Sequence, residues 1–396
     1  MTLDCDRMHS LQAALLVAGA MAFGLFLAGW VAYPVVLYLL RPRRASEPQG
    51  SEAAELPSVD VIIATREPAA AILARVRDVL DADYPLDRLH VIVGLDAASL
   101  ASLSDVEAAL GSCPGTTVVR GDQPGGKAAA LNAAVRAAKA EVMVFTDTAQ
   151  RFEPSAISRL LGCILRHQVG GASGYLRAKG DRGALGRFWN YETLVRKFES
   201  DLDSLVGVTG AFYALRREAW QPLREGLIND DLAVPLLARR AGFRVLHCPE
   251  AEAFDDRSFE RTQQFNRRVR TLTGVYQILA WYPWVASPWA NPLWAQFFLH
   301  KVVRLATPYL LGVTGLAVLA IGGGSLLAAG TVMVAFGLLV LSVLEKKPVG
   351  TTAAELGWIL RLLLLAPLAA SRNALRGDWS VWGTGRSPVP GRSPDE

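Results

Sequence analysis

Val59-Asp60-Val61-Ile62-Ile63 is a five-residue run with four β-branched members, too short for a buried helix and apolar on both sides of its pleat. Leu89-His90-Val91-Ile92-Val93 repeats the pattern, and a helical periodicity over 69–82 separates the two. Glu141 to Phe145 supplies a third strand after an alanine-rich helix at 127–139. Strands alternating with helices predict an α/β fold with a mostly parallel sheet, flanking helices and right-handed crossovers. Ligands of such sheets lie at the carboxyl ends of the strands. Glu67, Asp96 and Asp147 each stand just beyond one of these ends. Singly, each would serve as a loop cap; their repetition at three successive ends marks a site.

Outside this region the chain turns apolar. Of 396 residues 51% are hydrophobic, and the mean hydropathy of +0.25 lies above the soluble range. Leu11 to Leu40 is nearly unbroken apolar sequence, more than the roughly 20 residues that a spanning helix needs. It is too long for a signal-peptide core, and no small-residue cleavage site follows it. Arg41, Arg43 and Arg44 come next, which by the positive-inside rule puts the following residues in the cytoplasm. Residues 45–57 read as a polar linker. Trp281, Trp284, Trp289 and Trp294, interrupted by Pro283, Pro288 and Pro292, suit an interfacial belt, and 302–321 and 325–344 are long enough to span. The stretch 356–370 holds Arg361 and Pro367 and is bracketed by Lys346/Lys347 and Arg372/Arg376, as in a tilted, re-entrant or interfacial segment.

The expected organisation is an anchor at 1–44, a linker at 45–57, a cytoplasmic domain at 58–280, an aromatic segment at 281–301, membrane or re-entrant helices at 302–376 and a tail at 377–396, in a multi-pass protein of the inner membrane. There is no internal repeat. The net charge of +4 comes without a basic face interleaved with aromatics, which argues against nucleic acid as a partner. Cys5, Cys113, Cys163 and Cys248 are scattered with no CxxC pair, which fits a reduced compartment and no structural zinc. His90, His167, His247 and His300 share no ligand spacing.

Between the second and third strands, Gly125-Gly126-Lys127-Ala128-Ala129-Ala130-Leu131-Asn132 is a glycine pair opening a helix. Glycines admit a close backbone approach, a helix N-terminus attracts anions, and Lys127 adds a positive charge; a helix packed on a sheet would use the same alanines. In order along 57–280, these stretches resemble the membrane-bound family-2 glycosyltransferases, the branch of the cellulose, hyaluronan and poly-N-acetylglucosamine synthases. Val59–Glu67 resembles that family's opening strand and Asn-Glu turn, here Arg66-Glu67. Val91–Ser99 resembles the strand leading to its uridine-binding aspartate, here Asp96. Gly126–Asn132 resembles its Gly-Lys-x-x-Ala-Leu-Asn helix, and Val144–Pro154 the strand ending in its metal-binding acids. Gly207–Phe212 resembles the acceptor-side loop with Gly210. Ile228-Asn229-Asp230-Asp231 stands where the family has Thr-Glu-Asp, eleven residues before Gly242. Gln264-Phe265-Asn266-Arg267-Arg268 resembles Gln-x-x-Arg-Trp with Arg268 in place of the tryptophan, and Trp379–Arg386 the C-terminal gating segment.

The resemblance implies a GT-A nucleotide-sugar fold and an inverting transfer from a UDP-sugar to a growing polysaccharide at the cytoplasmic membrane face. Asp231 is then the general base beside Asp230. Glu67, Asp96, Lys127, Asn132, Gly210, Gln264, Arg267 and Arg268 bind nucleotide or substrate, and Asp147 holds a divalent cation, Mg2+ or Mn2+. Two departures matter. Asp147-Thr148-Ala149 lacks the second acid of Asp-x-Asp, so Asp147 acts with diphosphate and water as co-ligands, Gln150 contributes, or metal dependence is weakened. Arg268 for tryptophan leans toward the alternative of single transfer onto a lipid acceptor. The altered metal motif is the support for a third reading, a catalytically silent synthase subunit.

Overall fold

The structure is a computed structural model that describes residues 2–42, 56–167, 169–178, 183–321 and 352–379. Arg43, Arg44, most of the linker, the expected span 325–344, Lys346/Lys347 and the tail from 380 onward lie outside the described residues.

Eight strands form one sheet: β1 (Val59–Thr65), β2 (Leu89–Leu95), β3 (Thr116–Arg120), β4 (Val142–Thr146), β5 (Arg151–Phe152), β6 (Gly171–Ala178), β7 (Phe212–Arg216) and β8 (Val245–Asp255), in the spatial order β3-β2-β1-β4-β7-β6-β8-β5. The three strands expected from sequence are β1, β2 and β4, each within two residues of its expected bounds. β1, β2, β3 and β4 run parallel, whereas β7 runs against both β4 and β6. That reversal divides the sheet into two halves; in the second, β6 and β8 run parallel and the short edge strand β5 runs against β8.

Both faces of β1 are buried, which its unbroken β-branched sequence requires. Val61 and Ile63 join Val91, Val93 and Val144 against α3 (Ala69–Leu80), α4 (Leu103–Leu110) and α6 (Ala156–His167). Ile62 joins Ile92, Met143 and Phe145 against α5 (Lys127–Ala137), α8 (Asp230–Arg240) and α9 (Arg261–Trp281). Each such side chain contributes about 1.5–3 kcal/mol by burial. The alanines of α5 let it lie close on β2: a Cβ at Gly94 would come within 2.5 Å of the Ala130 carbonyl oxygen. Asp60, the one polar residue of the opening run, is buried; it accepts the Lys139 and Ala140 N–H groups at 2.6 and 2.7 Å and pairs with His90 Nδ1 at 2.9 Å. His90 is therefore a structural partner of the sheet.

At the N-terminus α1 (Thr2–Leu27) passes through a π-helical turn at Ala28–Ala32 into α2 (Tyr33–Leu40). Ser10–Leu40 and Gly357–Leu375 are long and apolar enough to cross a membrane, and Trp294–Leu305 with Thr307–Ala320 forms a pair bent by 64°. The stretch 302–321, expected to be long enough to span, thus contains the break between the two arms of a bent pair. Gly19 faces Ala317 and Gly29 faces Val303, so small residues bring the two segments together. A polar chain ties this layer to α7 (Gly183–Leu202). Tyr33 Oη donates to Glu199 Oε1 at 2.7 Å, His300 bridges Glu199 and Glu192 at 2.7 and 3.0 Å, Arg304 pairs with Glu192, and Tyr191 Oη donates to the Trp30 carbonyl at 2.6 Å.

Candidate active site

Asp96 follows β2 directly, and its Oδ1 accepts N–H groups from Ala98 and Gly126, both at 2.9 Å. The glycine pair makes this seat possible. Gly125 and Gly126 have φ of +98° and +102°, and a Cβ on Gly125 would stand 2.7 Å from Asp96 Oδ1. Beyond Gly126 there is open space, so the backbone is accessible to a ligand there. Lys127, the first residue of α5, reaches across the strand ends to Asp147 Oδ1 at 3.0 Å and Asp230 Oδ2 at 3.1 Å. Burial opposes its charge, but the two carboxylates outweigh burial and hold the ammonium above its ordinary range.

Around Asp147 the second half of the sheet supplies cations. The Asp255 carboxylate at the end of β8 is gripped by Arg257 through Nε and Nη2, both at 2.8 Å. Arg257 and Arg267 both place their guanidinium groups on the Phe259 ring, at 5.2 and 4.0 Å, and both feel the Asp147 charge. Arg75, buried under the strand ends, donates to Thr146 Oγ1 at 2.7 Å; burial draws it down to about 10. Thr148 donates to Thr65 Oγ1 at 2.7 Å, and Gln150 is buried with its Nε2 on Asp255 at 3.0 Å. Glu67 is exposed, its own N–H donating to Thr65 Oγ1 at 3.0 Å. Among the described residues no three His, Cys, Asp or Glu side chains group as a metal cage. Mg2+ is often held by one or two carboxylates together with phosphate oxygens of a bound ligand, and Asp147 could supply one such carboxylate.

The other side of the site is the N-terminus of α8, preceded by Asn229, whose side chain makes no cap hydrogen bond, with Asp230 buried and Asp231 half-buried in its first turn, where the helix dipole favours anions. Burial, then the neighbouring Asp230 charge, pushes the Asp231 carboxyl up to about 6, against the pull of Lys127 and Lys301. Pro235 lies four residues on and has no N–H for the Asp231 carbonyl. That carbonyl instead accepts the Val208 N–H at 2.8 Å, which ties the 207–210 loop to Asp231. Gly210 lies against Asp231: a Cβ there would be 3.1 Å from the Asp231 Cβ. Arg196 of α7 holds the same loop, donating to Thr209 Oγ1 at 2.9 Å and Ser173 Oγ at 2.8 Å. From α9, Gln277 Oε1 accepts the Ile228 N–H at 2.8 Å, and Asn229 donates to the Thr271 carbonyl at 2.8 Å.

The structure therefore brings together Asp96, Lys127, Asp147, Asp230, Asp231, Gly210 and Arg267. Three other expected site residues are placed differently. Asn132 spends both ends of its amide on the Leu223 backbone, at 2.8 and 2.9 Å, and so positions that loop. Gln264 donates to the Phe259 carbonyl at 2.8 Å, fixing the entry to α9. Arg268 lines a cavity of about 70 Å3 with Glu192, Lys301 and Arg304. Sequence reasoning missed Arg75, Arg196 and Arg257. Only Arg257 carried a local signal, the Asp255-Asp256-Arg257 run closing β8.

Residues 57–276, more than half of the chain, match the family described as glycosyltransferase like family 2. No curated protein sequence matches. Among solved structures, the mannosyltransferase PcManGT from Pyrobaculum calidifontis, in complex with GDP-Man and Mn2+, is similar with a TM-score of 0.68 and 22% identity, over 90% of this chain and 99% of its own. TarS residues 1–349 from S. aureus give a TM-score of 0.43 and 12% identity, over 82% and 89%. The first likeness shows a shared GT-A fold. With the family match over the whole α/β domain, the chain belongs to the glycosyltransferase-like family 2, whose members transfer a sugar from a nucleotide-sugar donor.

Proposed function

We propose that the protein is an inverting glycosyltransferase working at a membrane face, with a UDP-sugar as donor and Asp231 as general base. The observation that carries this is the Asp231 carboxyl, raised to about 6 by burial and Asp230 and lying against the open Gly210, across Asp230 and Lys127 from Asp147. A base of that strength is mostly ionised at neutral pH yet still takes a proton readily. It would remove the acceptor hydroxyl proton as that oxygen attacks the anomeric carbon, while the bond from that carbon to the diphosphate breaks.

Lys127, Arg257 and Arg267 put positive charge where the diphosphate leaves. Asp147 would hold a divalent cation together with the diphosphate oxygens, and that ion would neutralise developing charge. Asp96, seated by Gly126 and Ala98, would meet the base or ribose of the nucleotide. The apolar segments at both ends of the described chain support a membrane location, with the domain on the cytoplasmic side given by Arg41 and its arginine neighbours. A polysaccharide acceptor is the expectation carried by the synthase resemblance. Transfer to a lipid is favoured by one feature, Arg268 lining a cavity with Leu362, Leu363 and Pro367 of the apolar segment Gly357–Leu375.

A donor screen tests the reading: UDP-glucose, UDP-galactose, UDP-N-acetylglucosamine, UDP-glucuronate and, because of PcManGT's ligand, GDP-mannose, read by nucleoside diphosphate release with and without Mn2+. Release from one donor, dependent on Asp231, is expected. No release from any donor in the folded, membrane-reconstituted protein would sink it. Product size then separates a polymer ladder from a single glycolipid.

A further inference from the structure

The cavity that takes Arg268 lies between α9, α7, the 294–305 segment and the 361–367 stretch. Its charge is unbalanced. The Glu192 carboxylate is taken by Arg304 and His300, and Glu199 by His300 and Tyr33. Arg268 and Lys301, both half-buried in the lining, make no ion pair with an acid among the described residues. Glu192 acts on both only at longer range and is already held by Arg304 and His300, so two cations withdrawn from water with none of the described carboxylates in contact are costly, and an anion placed between them would offset that cost. Burial accordingly lowers the Arg268 pKa.

Three further facts narrow the anion. A volume of about 70 Å3 admits several waters at about 10–15 Å3 each, so a phosphate-sized group fits it. The opposite wall is Leu362, Leu363 and Pro367, part of the Gly357–Leu375 segment that is apolar enough to cross a membrane, so a ligand bearing hydrocarbon matches it and a free nucleotide does not. The cavity also adjoins the base. Thr271 lines it while its carbonyl holds Asn229, the residue before the helix that presents Asp231, and Lys301 acts on Asp231 electrostatically.

We infer that Arg268 and Lys301 seat the phosphate of an anionic lipid acceptor, with its hydrocarbon along Leu362, Leu363 and Pro367 and its headgroup toward Asp231. This rests on Asp231 being the base, and that role sets the class of lipid. A phosphate oxygen as nucleophile carries no proton at neutral pH and needs no base. A base implies a hydroxyl, so the lipid is a phosphodiester with a hydroxylated headgroup, such as a glycerol or inositol phospholipid. The headgroup oxygen bonds to the anomeric carbon, its proton passes to Asp231, and the nucleoside diphosphate departs with the bonding pair.

Binding is measured apart from turnover. The full-length protein and its Asp231→Asn variant, reconstituted in nanodiscs of phosphatidylcholine with increasing phosphatidylglycerol, are assayed for retained lipid by native mass spectrometry. Both should enrich phosphatidylglycerol over phosphatidylcholine. Arg268→Gln with Lys301→Gln should reduce that enrichment at least about tenfold, the scale of one lost charge-assisted hydrogen bond, and Arg268→Lys should keep most of it. Equal enrichment in the double variant overturns the proposal, as does equal competition by free glycerol phosphate, which would make the site one for soluble anions. Enrichment that survives in Asp231→Asn while that variant keeps full transfer would instead remove Asp231 from the mechanism and leave the lipid seat standing.

Discussion

Replacing Asp231 by Asn tests the chemistry most directly. With a pKa of about 6, up from 3.8, the carboxyl is roughly nine-tenths ionised at pH 7 and roughly one-tenth at pH 5. The kcat/KM of the wild type should therefore fall about tenfold between those values, whereas an ordinary aspartate would lose almost nothing. In Asp231→Asn the residual rate should be about 10²- to 10⁴-fold lower, the range of general-base contributions, and its dependence on pH between 5 and 7 should vanish. Stability moves the other way. The folded state binds this proton more tightly than the unfolded state, so the group costs stability as pH rises from about 4 to 6, by roughly 3 kcal/mol at most. Asn removes that cost, so the thermal midpoint of the variant at pH 7.5 should match or exceed the wild type. Steady-state release of nucleoside diphosphate across pH 5–8, with nano-scale fluorimetry on the same samples, reads both quantities. Turnover within threefold of wild type in a folded variant, or a wild-type profile flat down to pH 5, would refute the assignment.

Further expectations follow from neighbouring groups. Gly210→Ala puts a Cβ 3.1 Å from that of Asp231, so kcat should drop about tenfold with donor KM within about twofold, measured by initial rates. Lys127→Met strands the buried Asp230 and should destabilise the fold by about 3–5 kcal/mol; Lys127→Met with Asp230→Asn should recover the melting temperature without recovering activity. Asp96→Ala removes the acceptor for the Ala98 and Gly126 N–H groups and, with Asp96 proposed to meet the nucleotide, should raise donor KM at least about tenfold with a smaller change in kcat.

What was legible in the sequence follows the physics of burial. β1, β2 and β4 are covered on both faces, so their β-branched runs stand out, and the acids after them fall at the strand ends. β6 begins Gly171-Ala172-Ser173-Gly174, where small residues admit Phe212 and the Ala214 carbonyl, and it breaks register with β8 at Ser173/Tyr175. Such a strand is defined by its neighbours and shows no period of its own. Arg196 was hidden for the same reason, since it matters through the loop and strand it rests on. The expected roles of Asn132 and Gln264 were read from motifs, which carry position but not whether an amide is already committed to backbone.

The polar chain through Tyr33, Glu199 and His300 bears on how the protein can be handled. Trimming the apolar N-terminal helix to obtain a soluble domain would remove the Tyr33 hydroxyl from a buried carboxylate and uncover the surface where Trp30 and Gly29 meet Tyr191 and Arg304. The helix is in this respect an interior part of the protein, although it is apolar enough to cross a membrane. Preparations that keep it, in detergent or nanodiscs, are the ones in which α7, Arg196 and the loop it holds against Asp231 retain their support.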